Sequence, residues 1–178
     1  MRWLAPWVAL MLSSCLITQP VHFDEPANSP PALYDLATGT YSRTQIILLS
    51  NPTSTGDAGM TPPATTLTLE LEVYDADVDQ RLSWIAYIDD DDGAPCTGCS
   101  GDLAPTGNVR RTLTASIPLA TITAVDPSCH RVDIYVSSSF MPGLHQPRQT
   151  GDVDVATWWI RVQTDAGDTL DMSTCPGR

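Results

Sequence analysis

Leu67-Thr-Leu-Glu-Leu-Glu-Val73 is the stretch that decides the fold. Leu67, Leu69, Leu71 and Val73 take every second position, with Thr68, Glu70 and Glu72 between them. A strand sends successive side chains to opposite faces, so this stretch offers one face to a core and one to water. The period recurs downstream. Leu82, Trp84, Ala86 and Ile88 alternate with Ser83, Ile85 and Tyr87, and Leu113, Ala115 and Ile117 with Thr112, Thr114 and Ser116. Val132, Ile134 and Val136 alternate with Arg131, Asp133 and Tyr135; Ala156, Trp158, Ile160 and Val162 alternate with Thr157, Trp159 and Arg161. The short apolar run from Ile46 to Leu49 predicts a first edge strand, and no long segment carries the helical period. One open sheet would leave an apolar face wet. The pattern therefore predicts an all-β domain over residues 44–178, built as two packed antiparallel sheets.

This portion resembles immunoglobulin-like, fibronectin-like and PKD-like sandwiches. The residues that carry the resemblance are Asp75-Ala-Asp77 followed by Leu82-Ser-Trp84, and then His130-Arg-Val-Asp-Ile-Tyr-Val136. It covers residues 65–164 and is architectural. The paired mid-strand cysteines of antibody domains are missing, and no tyrosine stands two residues before Cys129.

Ahead of the domain, Arg2 precedes an apolar run from Trp3 to Leu12, the layout of a secretory signal over residues 1–14. The run ends in Leu12-Ser13-Ser14-Cys15, which resembles the lipobox of bacterial lipoproteins. That resemblance implies a diacylglyceryl thioether on Cys15, cleavage before it, and attachment to a membrane through the lipid. Leu16, rather than Asp, follows the cysteine; by the same resemblance this implies the outer membrane of a Gram-negative envelope. Pro20, Pro26, Pro30 and Pro31 then suggest an extended, flexible stalk, so residues 15–43 are expected to form a tether. An ordinary signal peptide cut elsewhere is one competing reading. A retained N-terminal anchor is another, although Pro6 and Gln19-Pro20 make a poor spanning helix.

Exported cysteines meet an oxidant, so Cys96, Cys99, Cys129 and Cys175 are expected to form two disulfides. In a sandwich of this kind the strand from Val132 runs antiparallel to the strand from Leu82, which brings all four cysteines to one pole. Three pairings remain open. Cys96–Cys99 with Cys129–Cys175 is slightly preferred because Thr97-Gly98 allows a tight turn; the other attractive set joins the Cys96-to-Cys99 loop to Cys129. A redox role fits poorly, because Asp89 to Asp92 would raise a neighbouring thiol pKa. A four-cysteine zinc site fits poorly too, since only one of the two pairs has ligand spacing.

The formal net charge of −12, with nine basic residues that are all arginine, excludes nucleic acid as a partner. Divalent cations suit such a chain better. Asp75, Asp77 and Asp79 alternate on a turn, and the long connection over residues 137–153 reaches the same pole and leads into Asp152 and Asp154. These carboxylates, Asp75, Asp77, Asp79 and Asp152 in particular, make calcium a possible ligand. The connection also carries Phe140, Met141, Leu144 and His145, apolar and aromatic residues on a long loop; Phe140, Leu144 and His145 are candidate contacts for a protein or glycan partner. His22, His130 and His145 stand in none of the common catalytic motifs. The sequence thus predicts a non-catalytic envelope lipoprotein with an interaction or structural module. A calcium-dependent or carbohydrate-binding domain is the alternative.

Overall fold

A computed structural model describes residues 28–50, 65–89, 96–123, 129–163 and Cys175. The chain runs β1 (Ala32–Asp35), β2 (Ile46–Ser50), β3 (Thr66–Tyr74), β4 (Leu82–Ile88), β5 (Ser100–Leu103), β6 (Arg110–Pro118), a single turn of helix α1 (Leu119–Thr123), β7 (Cys129–Ser137) and β8 (Asp154–Gln163). Two sheets face each other, one ordered β1-β3-β6 and the other β2-β8-β7-β4-β5. This is the all-β, two-sheet sandwich that the period of two predicted.

Burial follows the alternation residue by residue. On β3, Leu67, Leu69, Leu71 and Val73 are buried while Thr66, Thr68 and Tyr74 are exposed. Its partner β6 lies antiparallel in the register Leu67↔Ile117, Leu69↔Ala115 and Leu71↔Leu113, so the apolar rows of the two strands share one face. They meet Trp84 and Ala86 of β4, Val132, Ile134 and Val136 of β7, and Ala156, Trp158 and Ile160 of β8. Each fully buried aliphatic side chain here contributes about 1.5–3 kcal/mol relative to an exposed one. The hydrophobic effect thereby fixes the register, since a slip by one residue would turn each row outward.

Three features depart from the sequence reading. Residues 28–43, expected as part of a tether over residues 15–43, belong to the folded domain: Asn28, Pro31 and Leu33 are buried, and β1 pairs antiparallel with β3 through Leu33↔Val73, while residues 15–27 lie outside the described residues. The Leu33 N–H donates to Asp154 Oδ2 at 2.7 Å, tying β1 to the opposite sheet. A proline just ahead of a short edge strand costs no ladder hydrogen bond, so the proline-rich composition hid a strand. Secondly, β2 lies parallel to β8, not antiparallel, in the register Ile47↔Ile160. Thirdly, the short edge strand β5 pairs with β4 although Ser100-Gly-Asp-Leu103 carries no strand pattern. Gly101 stands opposite Trp84, and a Cβ there would lie 2.8 Å from the indole Nε1. Glycine is what lets the ring sit there.

Candidate functional site

Two regions of one pole hold the residues singled out from sequence: the β7–β8 loop and the β3–β4 turn. Residues 138–153 fold back on themselves as a braced hairpin. The Met141 N–H donates to the Gln146 carbonyl at 2.9 Å, and the Arg148 N–H to Ser139 at 3.0 Å. Phe140 and Pro147 form a bridge, and Arg148 Nε reaches the Phe140 carbonyl at 3.1 Å. At the tip, Met141-Pro-Gly-Leu144 closes with Leu144 N–H on the Met141 carbonyl at 3.1 Å. Pro142 in the second place and Gly143 in the third, at φ +74, match the demands of a type II turn.

The base of the hairpin is held by Asp152. Its Oδ2 accepts the Ser138 N–H and the Ser137 hydroxyl, each at 3.2 Å, and also the Ser138 hydroxyl. The body of the hairpin is held by His145. That ring stacks on Tyr135 of β7 at a centroid distance of 4.6 Å and meets Tyr87 of β4 edge-on at 4.9 Å. Tyr87 and Tyr135 themselves meet edge to face at 5.7 Å. His145, expected as a presented contact, is therefore turned inward and latches the loop to the outer face of the five-stranded sheet. Phe140 is half-buried. Leu144 and Met141 are left on the outside, 43% and 42% exposed. Between the hairpin tip and the outer face of β4 and β5 runs a groove of about 390 Å³, bordered by Met141, Ser83, Ile85 and Asp102.

The carboxylates divide differently from the sequence expectation. Asp75 is fully buried, pairs with Arg111 Nη2, and accepts the Asp77 N–H on Oδ1 at 2.9 Å. Arg111 also donates to the Gln80 carbonyl at 2.7 Å. Burial pushes the Asp75 carboxyl above its ordinary range; the Asp77 amide and the Arg111 charge pull it down without fully offsetting that. Asp75 thus serves an internal cation, and Asp152 gives Oδ2 to Ser137 and Ser138 while its buried Oδ1 has no hydrogen-bond partner, so the two carboxylates have separate surroundings. Among the described residues no three His, Cys, Asp or Glu side chains come together as a metal-binding group. Asp77 and Asp79 remain, on the rim of a separate hollow of about 490 Å³ that Asn28 and Gln80 also line.

At the opposite pole the cysteines pair as Cys96–Cys99 and Cys129–Cys175, with Cα separations of 5.1 and 5.4 Å. The first bridge lies along the end of β4, where the Ala86 N–H donates to Cys99 and the Cys96 N–H to Ala86. Asp89, first of the acidic run, is also engaged. Its Oδ1 accepts the Arg131 N–H at 2.7 Å, and Oδ2 bonds Nδ1 of the fully buried His130 at 2.6 Å. His130 is therefore part of the packed interior, not a surface residue. Asp90, Asp91 and Asp92 lie outside the described residues, as do Cys15, His22 and the leader. Among the described residues no helix is long and apolar enough to cross a membrane.

Arg111, Asn28 and Gln80 were not among the residues expected from the sequence. Arg111 had a signal: it shares parity with Leu113 on β6, and Asp75, the residue just after β3, shares parity with Val73, so two opposite charges fall on the inward side of neighbouring chain segments. Asn28 and Gln80 had none. No family model matches the chain, and no curated protein matches it. Among solved structures, a chain in the complex of Zinc 2-glycoprotein and Prolactin inducible protein from human seminal plasma is similar, with a TM-score of 0.41 and 8% identity, over 79% of this chain and 99% of that one. A likeness of that size carries no argument about binding.

Proposed function

We propose that the protein is a cell-envelope lipoprotein whose sandwich is a non-catalytic interaction module, anchored through acylated Cys15 and contacting a protein partner through the tip of the β7–β8 hairpin. One observation carries the reading. The hairpin is braced at every level, by Asp152 at its base, His145 in its body and a type II turn at its tip, yet it leaves Met141 and Leu144 exposed beside a groove. A loop that is pre-ordered loses little entropy on binding, and apolar side chains held in water by a rigid support suit recognition. The anchor rests on Leu12-Ser13-Ser14-Cys15.

Two experiments test this. Mass spectrometry of the native product should find Cys15 as an acylated N-terminus; Met1 still attached would remove the anchor. A photo-crosslinking residue at Met141, in the native envelope, should give a discrete adduct that Leu144→Ser weakens. The same probe at Thr112, exposed on the other sheet, should give none. Equal labelling from both positions would refute the hairpin as the contact.

A further inference from the structure

The hollow beside the β3–β4 turn contains an unusual set of groups. Asn28 is only 8% exposed, and neither its Oδ1 nor its Nδ2 has a hydrogen-bond partner. Gln80 Oε1 is likewise buried and unpartnered. A buried side-chain amide is nearly always satisfied, so Asn28, lining one hollow together with the unpartnered Gln80 oxygen, calls for a ligand. The hollow is lined by Asn28 and residues 76–80, which include the carboxylates of Asp77 and Asp79 and no basic side chain. The Ser29 N–H donates to Asp77 Oδ2 at 2.8 Å, which fixes this carboxylate close to Asn28 in the chain.

We propose that this hollow binds a divalent cation of the calcium type, through the Asp77 and Asp79 carboxylates and the side-chain oxygens of Asn28 and Gln80, with water completing the shell. Two carboxylates balance the charge of the ion, and neutral amide oxygens supply further hard donors without added repulsion. All-oxygen ligation excludes a preference for zinc or copper. Calcium tolerates an irregular shell of six to eight oxygens, whereas magnesium demands a near-ideal octahedron. The ion would join Asn28, ahead of β1, to the turn that links the two sheets. This site shares no residue with the hairpin tip, so its success or failure is separate from that of the partner-binding reading.

The test is thermal unfolding of the full chain in detergent, at constant ionic strength, with calcium chloride, magnesium chloride or EGTA. For a dissociation constant of about 1 mM, typical of extracellular modules, calcium at about 10 mM should raise the midpoint by roughly 3–6 °C. Magnesium should raise it less. Asp79→Asn, a change at an exposed side chain, should reduce the calcium shift, and Asn28→Asp should enlarge it by adding a charged oxygen. Glu70→Gln, away from the hollow, should leave it unchanged. Calcium should also slow amide hydrogen exchange at Ser29 and Leu33, a local readout that binding elsewhere would not move. Absence of any calcium shift in the unaltered chain would overturn the proposal. So would a shift that Asp79→Asn and Asn28→Asp both leave unchanged, since the ion would then sit elsewhere.

Discussion

Replacing Asp75 by alanine should cost the domain about 3–5 kcal/mol, because it strands the Arg111 guanidinium in the interior without a counter-charge. Both side chains are essentially excluded from water, at 0% and 1% exposure. Arg111→Met should cost a similar amount by stranding the carboxylate instead. The double variant is the informative one. Burial already raises the Asp75 carboxyl above its ordinary range despite the adjacent arginine, so desolvation costs this carboxylate more than its partner returns. Removing both charges therefore forfeits chiefly the secondary hydrogen bonds, from the Asp77 amide and to the Gln80 carbonyl, at about 1 kcal/mol each, with a long and weaker one to the Ala104 carbonyl at 3.5 Å. The double variant should fall within about 2 kcal/mol of the parent, although the single losses sum to about 6–10 kcal/mol. Urea unfolding with linear extrapolation measures all four corners of the cycle. Strictly additive losses, or a single-variant cost below about 1 kcal/mol, would refute the pairing. The cycle also separates the ion pair from a calcium role, since a lost calcium ligand would cost nothing in EGTA.

Other outcomes follow from the same structure. The Cys129–Cys175 bridge spans 46 residues and the Cys96–Cys99 bridge 3; chain entropy then gives about 4 kcal/mol for the first and about 2 kcal/mol for the second. Cys129→Ser with Cys175→Ser should accordingly lower the unfolding midpoint more than Cys96→Ser with Cys99→Ser. Gly101→Ala pushes a methyl group to 2.8 Å from the Trp84 indole and should cost about 1–3 kcal/mol, visible as a changed tryptophan fluorescence and a lower midpoint. At Asp35, burial alone would raise the carboxyl, but hydrogen bonds from Arg43 and Ser42 and the Arg43 charge outweigh it and hold the pKa low. A depressed folded pKa contributes stability that is present above the unfolded value and lost as pH falls through the folded one. Asp35→Asn should therefore flatten the acid limb of a stability-versus-pH curve below about pH 4, and leave its neutral-to-alkaline shape alone.

The strands that bury a full row announced themselves in the sequence, because β3, β4, β6, β7 and β8 each alternate over seven or more residues. What escaped was the edges. Ala32–Asp35 is too short to show a period, and Ser100–Leu103 contains glycine and aspartate for reasons that lie across the sheet, at Trp84. The carboxylates show the same division. Asp75, Asp77 and Asp79 look alike along the chain, yet the pleat turns Asp75 inward onto Arg111 and leaves Asp79 in water. His145 was legible as a loop residue, but its contacts with Tyr87 and Tyr135 depend on how the hairpin folds back, and spacing carries no trace of that.

The bridge from Cys175 ends on the first residue of β7, and β7 is the middle strand of the larger sheet, flanked by β8 and β4. A mechanical pull applied beyond Cys175 is consequently delivered by a covalent bond to a strand hydrogen-bonded on both sides. While that bond holds, the load does not enter β8 from its C-terminal end. Reduction would reroute the same load onto β8 and its parallel neighbour β2, so the oxidation state of one sulfur pair sets which part of the domain yields first under tension.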